Sequence, residues 1–435
     1  MASTNKALLS GQFFRLVKEG FWIGLGSALV ILGALVGVRL LTEVLSPTAY
    51  GELALGMTIT TLVNQISMGP LSSGAMRFYA PAVEKNEFSS YLAGVRKLVL
   101  SATGFIIILM IALVIGLQIA GQTNWILLTL AATLFAVLSG YDSILSSVQN
   151  AARQRVIVAL HRAMGAWGRY LIAVLLVLWL GPTSSVAMLG YSLALFPVLG
   201  SQWFFFQRTL RCQGSIMHQQ GWQKQIWQYS WPFASWGVFY WAQVASDRWA
   251  LELFTSTQEV GFYAVLFQLG YYPMSMVSNI AMQLLGPIFY QRAGDGKDHQ
   301  RNSDVNKLSW RLTLISLCLT ISVTLISFLF HKQIFSIFVA QKYISASYYL
   351  PWIMLSGGVF AAGQTIALNL TSQMKTQSMI VAKIVTAMLG IALNFLGAYW
   401  YGLRGVVIAS ILFSIIYFLW ISVLSYQQQT KSLSV

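Results

Sequence analysis

Charge is the scarcest property of this chain: 9% of its 435 residues are Asp, Glu, Lys or Arg, against roughly a quarter in an ordinary soluble domain. That scarcity, together with 57% hydrophobic residues, excludes a soluble globular protein. Cysteine is nearly absent, and Cys212 and Cys318 make neither a disulfide framework nor a metal cluster. Catalytic signatures are missing as well. There is no zinc-binding HExxH, no phosphate-cradling Walker loop, no Rossmann fingerprint after a strand and no cytosolic ATPase domain. The chain is therefore not expected to hydrolyse ATP itself, and no cofactor or metal is expected. A cleavable signal is also not apparent, because "MASTNKALLSGQFFRLVKEG" is polar and basic and leads into a full-length apolar run.

What is present is apolar surface. Runs of the ~20 residues needed to cross a bilayer recur from Gly20 to Ser425 and leave no stretch of soluble-domain length. Since the runs are continuous rather than alternating, they predict helices and not barrel strands. Twelve spans are expected, starting near Gly20, Ala49, Lys97, Asn124, Val156, Ser185, Gln228, Glu259, Trp310, Tyr348, Ser378 and Leu403. Basic residues alternate along them. One set of loops holds clusters such as Arg77, Lys85, Arg96 and Lys97, whereas the other set holds only Lys332, Lys342 and Arg404. The positive-inside bias then puts both termini in the cytoplasm. The net charge of +15 is thus mostly topology with some attraction to anionic lipid, and nucleic acid is not an expected partner.

The sequence repeats itself. The first span ends "VRLLTEVLSPTAYGELALG" and the seventh "DRWALELFTSTQEVGFYAVL", which aligns Arg39 with Arg248, Glu43 with Glu252 and, after one insertion, Gly51 with Gly261. "MRFYAP" at 76–81 resembles "PIFYQR" at 287–292, and similar stretches near 181 and 402 join the last two spans of each half. Two halves of six spans, 1–215 and 216–435, would be parallel repeats about an axis along the membrane normal. The expected fold is an all-α polytopic membrane protein with about twelve transmembrane helices in two pseudo-symmetric six-helix lobes around a central cavity. Such a build serves an alternating-access transporter or, without transport, a rigid scaffold.

A charge at the middle of a lone membrane helix costs roughly 2.5 to 3.5 kcal/mol, so such residues face a bundle interior or a wet cavity. Within the predicted spans Arg39, Arg162, Arg169, Arg248, Arg311 and Lys383 outnumber Asp142, Asp247 and Glu252. The interior is net cationic, which nominates Arg39, Arg169, Arg248 and Lys383 as substrate-binding residues of a cationic lumen. Arg248 and Glu252 share a helix face, as do Arg39 and Glu43, and both pairs sit in the last turns before the outer surface. They read either as a snorkelling rim or as an outer gate. Asp247 lies about 100° round the helix from Arg248 and has no local partner by spacing, so it is the better ion or proton site. Asp142, in "LSGYDSILSSVQN", reads as a second such site or as a helix-helix hydrogen bond. Arg162 and Lys383 also read as interfacial residues; Arg169 is deeper.

The seventh span is aromatic, and Trp236 and Trp241 lie too deep for an interfacial belt. They either stack on sugar or prenyl groups or pack against neighbouring helices. The second and eighth spans are punctuated by Gly69–Pro70 and by Pro273, Gly286 and Pro287, where helices can break to bend or to line a cavity.

With its "RLLTEVLSPTAYGELALGMTITTLVNQISMGPLSSGAMRFYAPAVE" and "NFLGAYWYGLRGVVIAS", the chain resembles the polysaccharide flippases, the Wzx-type O-antigen exporters. Their superfamily also holds multidrug and toxin extruders and lipid II flippases. The resemblance covers essentially the whole chain. It implies a V-shaped pair of lobes with helices 1, 2, 7 and 8 around a central cavity. It also implies an undecaprenyl-diphosphate-linked oligosaccharide as cargo and arginines, here Arg39 and Arg248, that meet the diphosphate. The implied setting is the bacterial inner membrane among its lipids, with the polysaccharide polymerase and chain-length proteins as partners. Two rivals remain. A drug or cation antiporter of the same superfamily would favour uncompensated carboxylates over this cation-rich interior. A membrane glycan polymerase or glycosyltransferase would display acids in a large outer loop, and the longest here, 331–347, has no Asp or Glu.

Overall fold

Hydrocarbon offers backbone amides no water, so an apolar run must satisfy its own hydrogen bonds, and in the computed structural model the predicted spans fold as helices. The structure describes residues 2–211, 221–293, 298–373 and 376–433, with no strand among them. The first passes are α1 (Ala2–Val44), a split pass of α2 (Pro47–Ile66) and α3 (Met68–Glu84), α4 (Phe88–Ile119), α5 (Ile126–Ala151), α6 (Arg155–Leu180) and α7 (Ser184–Arg211). The later ones are α8 (Trp222–Phe254), a split pass of α9 (Thr257–Leu266) and α10 (Tyr272–Ala293), α11 (His299–Phe338), α12 (Leu350–Ser372) and α13 (Thr376–Leu433). The chain is an all-α polytopic membrane protein. Among the described residues eight helical stretches are long and apolar enough to cross a membrane, and one of them, Val381–Gln427, carries two passes. Helix α8 is not among the eight, because Gln, Ser and charged residues dilute its Trp, Phe and Leu.

The breaks follow from local chemistry. The second pass divides at Ser67 (φ −125°, ψ −78°), just ahead of the expected Gly69–Pro70, because Pro70 has no N–H for the Ile66 carbonyl and its ring crowds that oxygen. The Ser67 hydroxyl instead bonds back to the Val63 carbonyl. In the eighth pass a π-helix, Phe267–Tyr271, precedes Pro273, whose missing N–H leaves Leu269 without its usual donor. Further on, α10 runs through Gly286 and Pro287 without interruption. Helix α13 turns at Gly402 (φ 55°, ψ −135°), a left-handed conformation that favours glycine. The Leu403 N–H beside it donates to Glu259 Oε2 at 2.9 Å. In the first half the matching turn after α6 has the same kind of partner, since Ser184 Oγ donates to Glu52 Oε2 at 2.6 Å.

Two compact units result, Met1–Leu45 with Glu52–Trp241, and Ser46–Gly51 with Ala242–Val435. In the first, α6 packs on α1 and α7, and α5 on α3 and α7. An apolar cluster there includes Met68, Leu71, Tyr91, Val148, Trp222 and Ile226. The start of α8 belongs there because Trp222 is 5% exposed and its Nε1 donates to Glu87 Oε2 at 2.9 Å. In the second unit α12 is central, flanked by α10, α11 and α13, with Ile366, Leu370, Tyr417 and Ile421 buried between them. The segment Ser46–Gly51 crosses the start of α9 with no room for side chains. A Cβ on Gly51 would stand 2.0 Å from the Thr257 carbonyl oxygen, and one on Gly261 would stand 2.0 Å from that of Pro47.

Candidate functional site

Helix α8 carries two adjacent charges into the second unit, and a buried carboxylate is costly unless paired. Asp247 is 5% exposed, and Arg248 Nη1 lies 3.2 Å from its Oδ1. The same oxygen accepts the Arg248 backbone N–H at 2.7 Å, while Nη1 also reaches the Val244 carbonyl at 3.1 Å. Above this pair the guanidinium carbon lies 4.6 Å from the Phe267 ring centre and 5.9 Å from that of Tyr263, a cation-π arrangement. The Tyr263 phenol stands beside Asp247 and shares a hydrogen bond with Ser410 Oγ at 3.2 Å.

This geometry corrects the expectation from helical spacing, which leaves Asp247 alone and joins Arg248 to Glu252. A long guanidinium folds back over one residue easily, and the more deeply buried carboxylate has the greater need of it. Glu252 is only half-buried and accepts from Thr257 Oγ1 at 3.0 Å. Polar contacts continue through the unit. Asn394 Nδ2 donates to Ser246 Oγ at 2.9 Å, and Ser356 Oγ bonds the Ser410 carbonyl at 2.8 Å and Ser414 Oγ at 2.9 Å. Lys383, half-buried on α13, has no ion pair among the described residues.

The first unit holds the other candidates. Arg39 and Glu43 form the expected ion pair one turn apart, with side chains 37% and 49% exposed. Arg169 stacks on the Tyr170 ring at 4.9 Å. Asp142 is not alone: Gln202, Arg162 and His161 all act on its carboxylate. Around it, Gln202 Nε2 donates to Ser146 Oγ at 3.0 Å, and Gln149 Nε2 to the Gln202 carbonyl at 3.4 Å. His161 bridges the Ile157 carbonyl at 2.7 Å and Ser201 Oγ at 3.0 Å. Trp241 spends its indole N–H on the Thr58 carbonyl at 2.7 Å, whereas Trp236 is exposed, as are Trp231, Phe239 and Tyr240. Phe267, Tyr263, Gln202 and Gln149 were not marked by spacing. Their signal was limited to amides and hydroxyls inside apolar runs.

Buried charges in both units are held by short polar networks within membrane-spanning helices, where an unpaired charge is costly. The fold is shared with transporters of known structure. The chain is similar to a multidrug resistance MATE family transporter of the MOP superfamily in an inward-facing conformation (TM-score 0.69, 12% identity, 94% of this chain and 95% of the other). It is also similar to the lipid II flippase MurJ in an inward closed conformation (TM-score 0.63, 14% identity, 93% and 86%) and to the Vibrio cholerae MATE transporter VcmN (TM-score 0.60, 14% identity, 99% and 98%). No curated protein matches in sequence. The family model described as polysaccharide biosynthesis protein matches residues 16–292, and the chain belongs to that family.

Proposed function

We propose that this protein flips an undecaprenyl-diphosphate-linked oligosaccharide, a unit of O-antigen or another surface polysaccharide, across the bacterial inner membrane. The movement is alternating access through a cationic lumen, with both termini cytoplasmic. The observation that carries the reading is the union, in one chain, of a polysaccharide biosynthesis family match with a transporter fold. Arg39, Arg169, Arg248 and Lys383 supply cations, and guanidinium groups suit diphosphate through bidentate hydrogen bonds. The exposed rings of Trp231, Trp236 and Tyr240 suit the flat faces of sugars. A diphosphate that reaches Arg248 competes with Asp247, so cargo binding frees a carboxylate for a proton or cation. Asp142 offers a second coupling site, and Glu43 and Glu252 act in gating. The polysaccharide polymerase and chain-length proteins act on the product.

Deletion of the gene is expected to leave lipid-linked glycan on the cytoplasmic leaflet, read by leaflet-selective labelling. Wild type restores export, while Arg248→Ala and Arg169→Ala restore a tenth or less at equal protein level. Full export by both variants overturns the cationic lumen. A multidrug antiporter shares the fold, and raised drug resistance in a pump-deficient strain, without glycan accumulation in the deletion strain, would favour that reading instead.

A further inference from the structure

A groove of about 1130 Å³ opens in the first unit between α4, α5 and α7, apart from the charged clusters described above. Its walls are apolar, with Leu100, Ile144, Leu145 and Trp203 among them, and its edge carries Arg96 and Lys97. Both cations are exposed, and neither has an ion pair among the described residues. Their depth is fixed by the sequence. Residues 98–119 of α4 contain no charge and extend about 33 Å at 1.5 Å per residue, enough to cross the hydrocarbon. Arg96 and Lys97 therefore sit at the level of the lipid phosphates, and the groove descends from them into the acyl region.

We propose that this groove is a binding site for an anionic phospholipid, its phosphate on Arg96 and Lys97 and an acyl chain along α4. Unpaired cations over an apolar cleft require an occupant that is anionic at one end and apolar at the other, and basic pockets between membrane helices select such headgroups. The lipid-linked glycan itself does not fit. The groove's hydroxyls are already engaged, Ser101 with the Lys97 carbonyl at 3.0 Å and Tyr141 with Thr103 at 2.9 Å, so the apolar cleft below the two cations has few groups to hold a chain of sugars. Helix α4 also has reason to need the lipid, because only 11% of its most apolar window is buried within the protein. A bound chain supplies the packing that α4 lacks against α5 and α7.

The test uses the purified full-length protein with phosphatidylglycerol and phosphatidylcholine, read by native mass spectrometry and by thermal unfolding with each lipid added. Wild type is expected to retain phosphatidylglycerol at least fivefold over phosphatidylcholine and to be stabilised by it selectively, as a ligand of the folded state must. Arg96→Gln/Lys97→Gln brings that ratio near one. Ala93→Trp, which fills the groove from an exposed position and keeps both cations, lowers phosphatidylglycerol retention at least threefold. Arg77→Gln, an exposed cation of α3 outside the groove, leaves it unchanged. Equal retention of both lipids by wild type overturns the site. So does an effect of Arg77→Gln as large as that of the double variant, or displacement of phosphatidylglycerol by equimolar undecaprenyl phosphate. None of these readouts depends on what the protein transports.

Discussion

Burial decides which partner a membrane cation takes. Arg248 turns to Asp247, whose side chain is 7% exposed, and the half-buried Glu252 accepts from Thr257. Removing one member of a buried pair strands the other at a cost of about 3–5 kcal/mol. Asp247→Ala is therefore expected to lower the thermal midpoint of the detergent-solubilised protein markedly, and by more than Glu252→Ala. The double variant Asp247→Ala/Arg248→Ala should recover much of the loss. Equal midpoints for the two single variants would contradict the pairing. Arg248→Lys keeps the charge but loses the planar stacking on Phe267 and Tyr263, so it is expected to be less stable than wild type. The charges themselves were legible in the sequence, because each interrupts an apolar run. Their partners were not: Tyr263 and Phe267 return to Arg248 only after the chain reverses between α8 and α9, and helical periodicity has no term for that.

Among the elements, proline position was read well and its consequence only roughly. Pro70 and Pro273 each disturb a pass, but the disturbance falls upstream, where the missing N–H is felt, as a break at Ser67 and as the π-helix Phe267–Tyr271. Pro287 disturbs nothing in the described backbone of α10. The aligned glycines Gly51 and Gly261 proved to be neighbours, each facing the carbonyl at the start of the other's helix. A side chain at either position forces that crossing apart. Gly51→Val and Gly261→Val are each expected to lower folded yield or thermal stability by several degrees, while Gly104→Val, where a Cβ would meet nothing, is tolerated. Gly402→Ala places a side chain at positive φ and is expected to cost about 1 kcal/mol. Size-exclusion profiles and melting curves of the four variants measure these effects.

For the molecule as a whole, the number of passes was legible in hydropathy, because it is set by the bilayer rather than by side-chain packing, and the alternation of basic residues predicts their direction. The twelve-pass order appears in the helices, and Glu52 accepts from Ser184 Oγ much as Glu259 accepts from the Leu403 N–H. Which buried polar groups would meet was beyond a single sequence, since Asp142 and Gln202 lie on different helices. Orientation is directly testable. Single cysteines at Lys332 and at Arg153, in a background with Cys212 and Cys318 replaced, are expected to react with an impermeant maleimide from outside and from inside respectively. The opposite pattern would invert the topology. One further consequence belongs to α4, of whose most apolar window only 11% is buried within the protein, so that most of its surface meets the bilayer. Hydrophobic mismatch is then transmitted first through this helix, and in vesicles of graded acyl-chain length the protein is expected to behave as a gauge of membrane thickness.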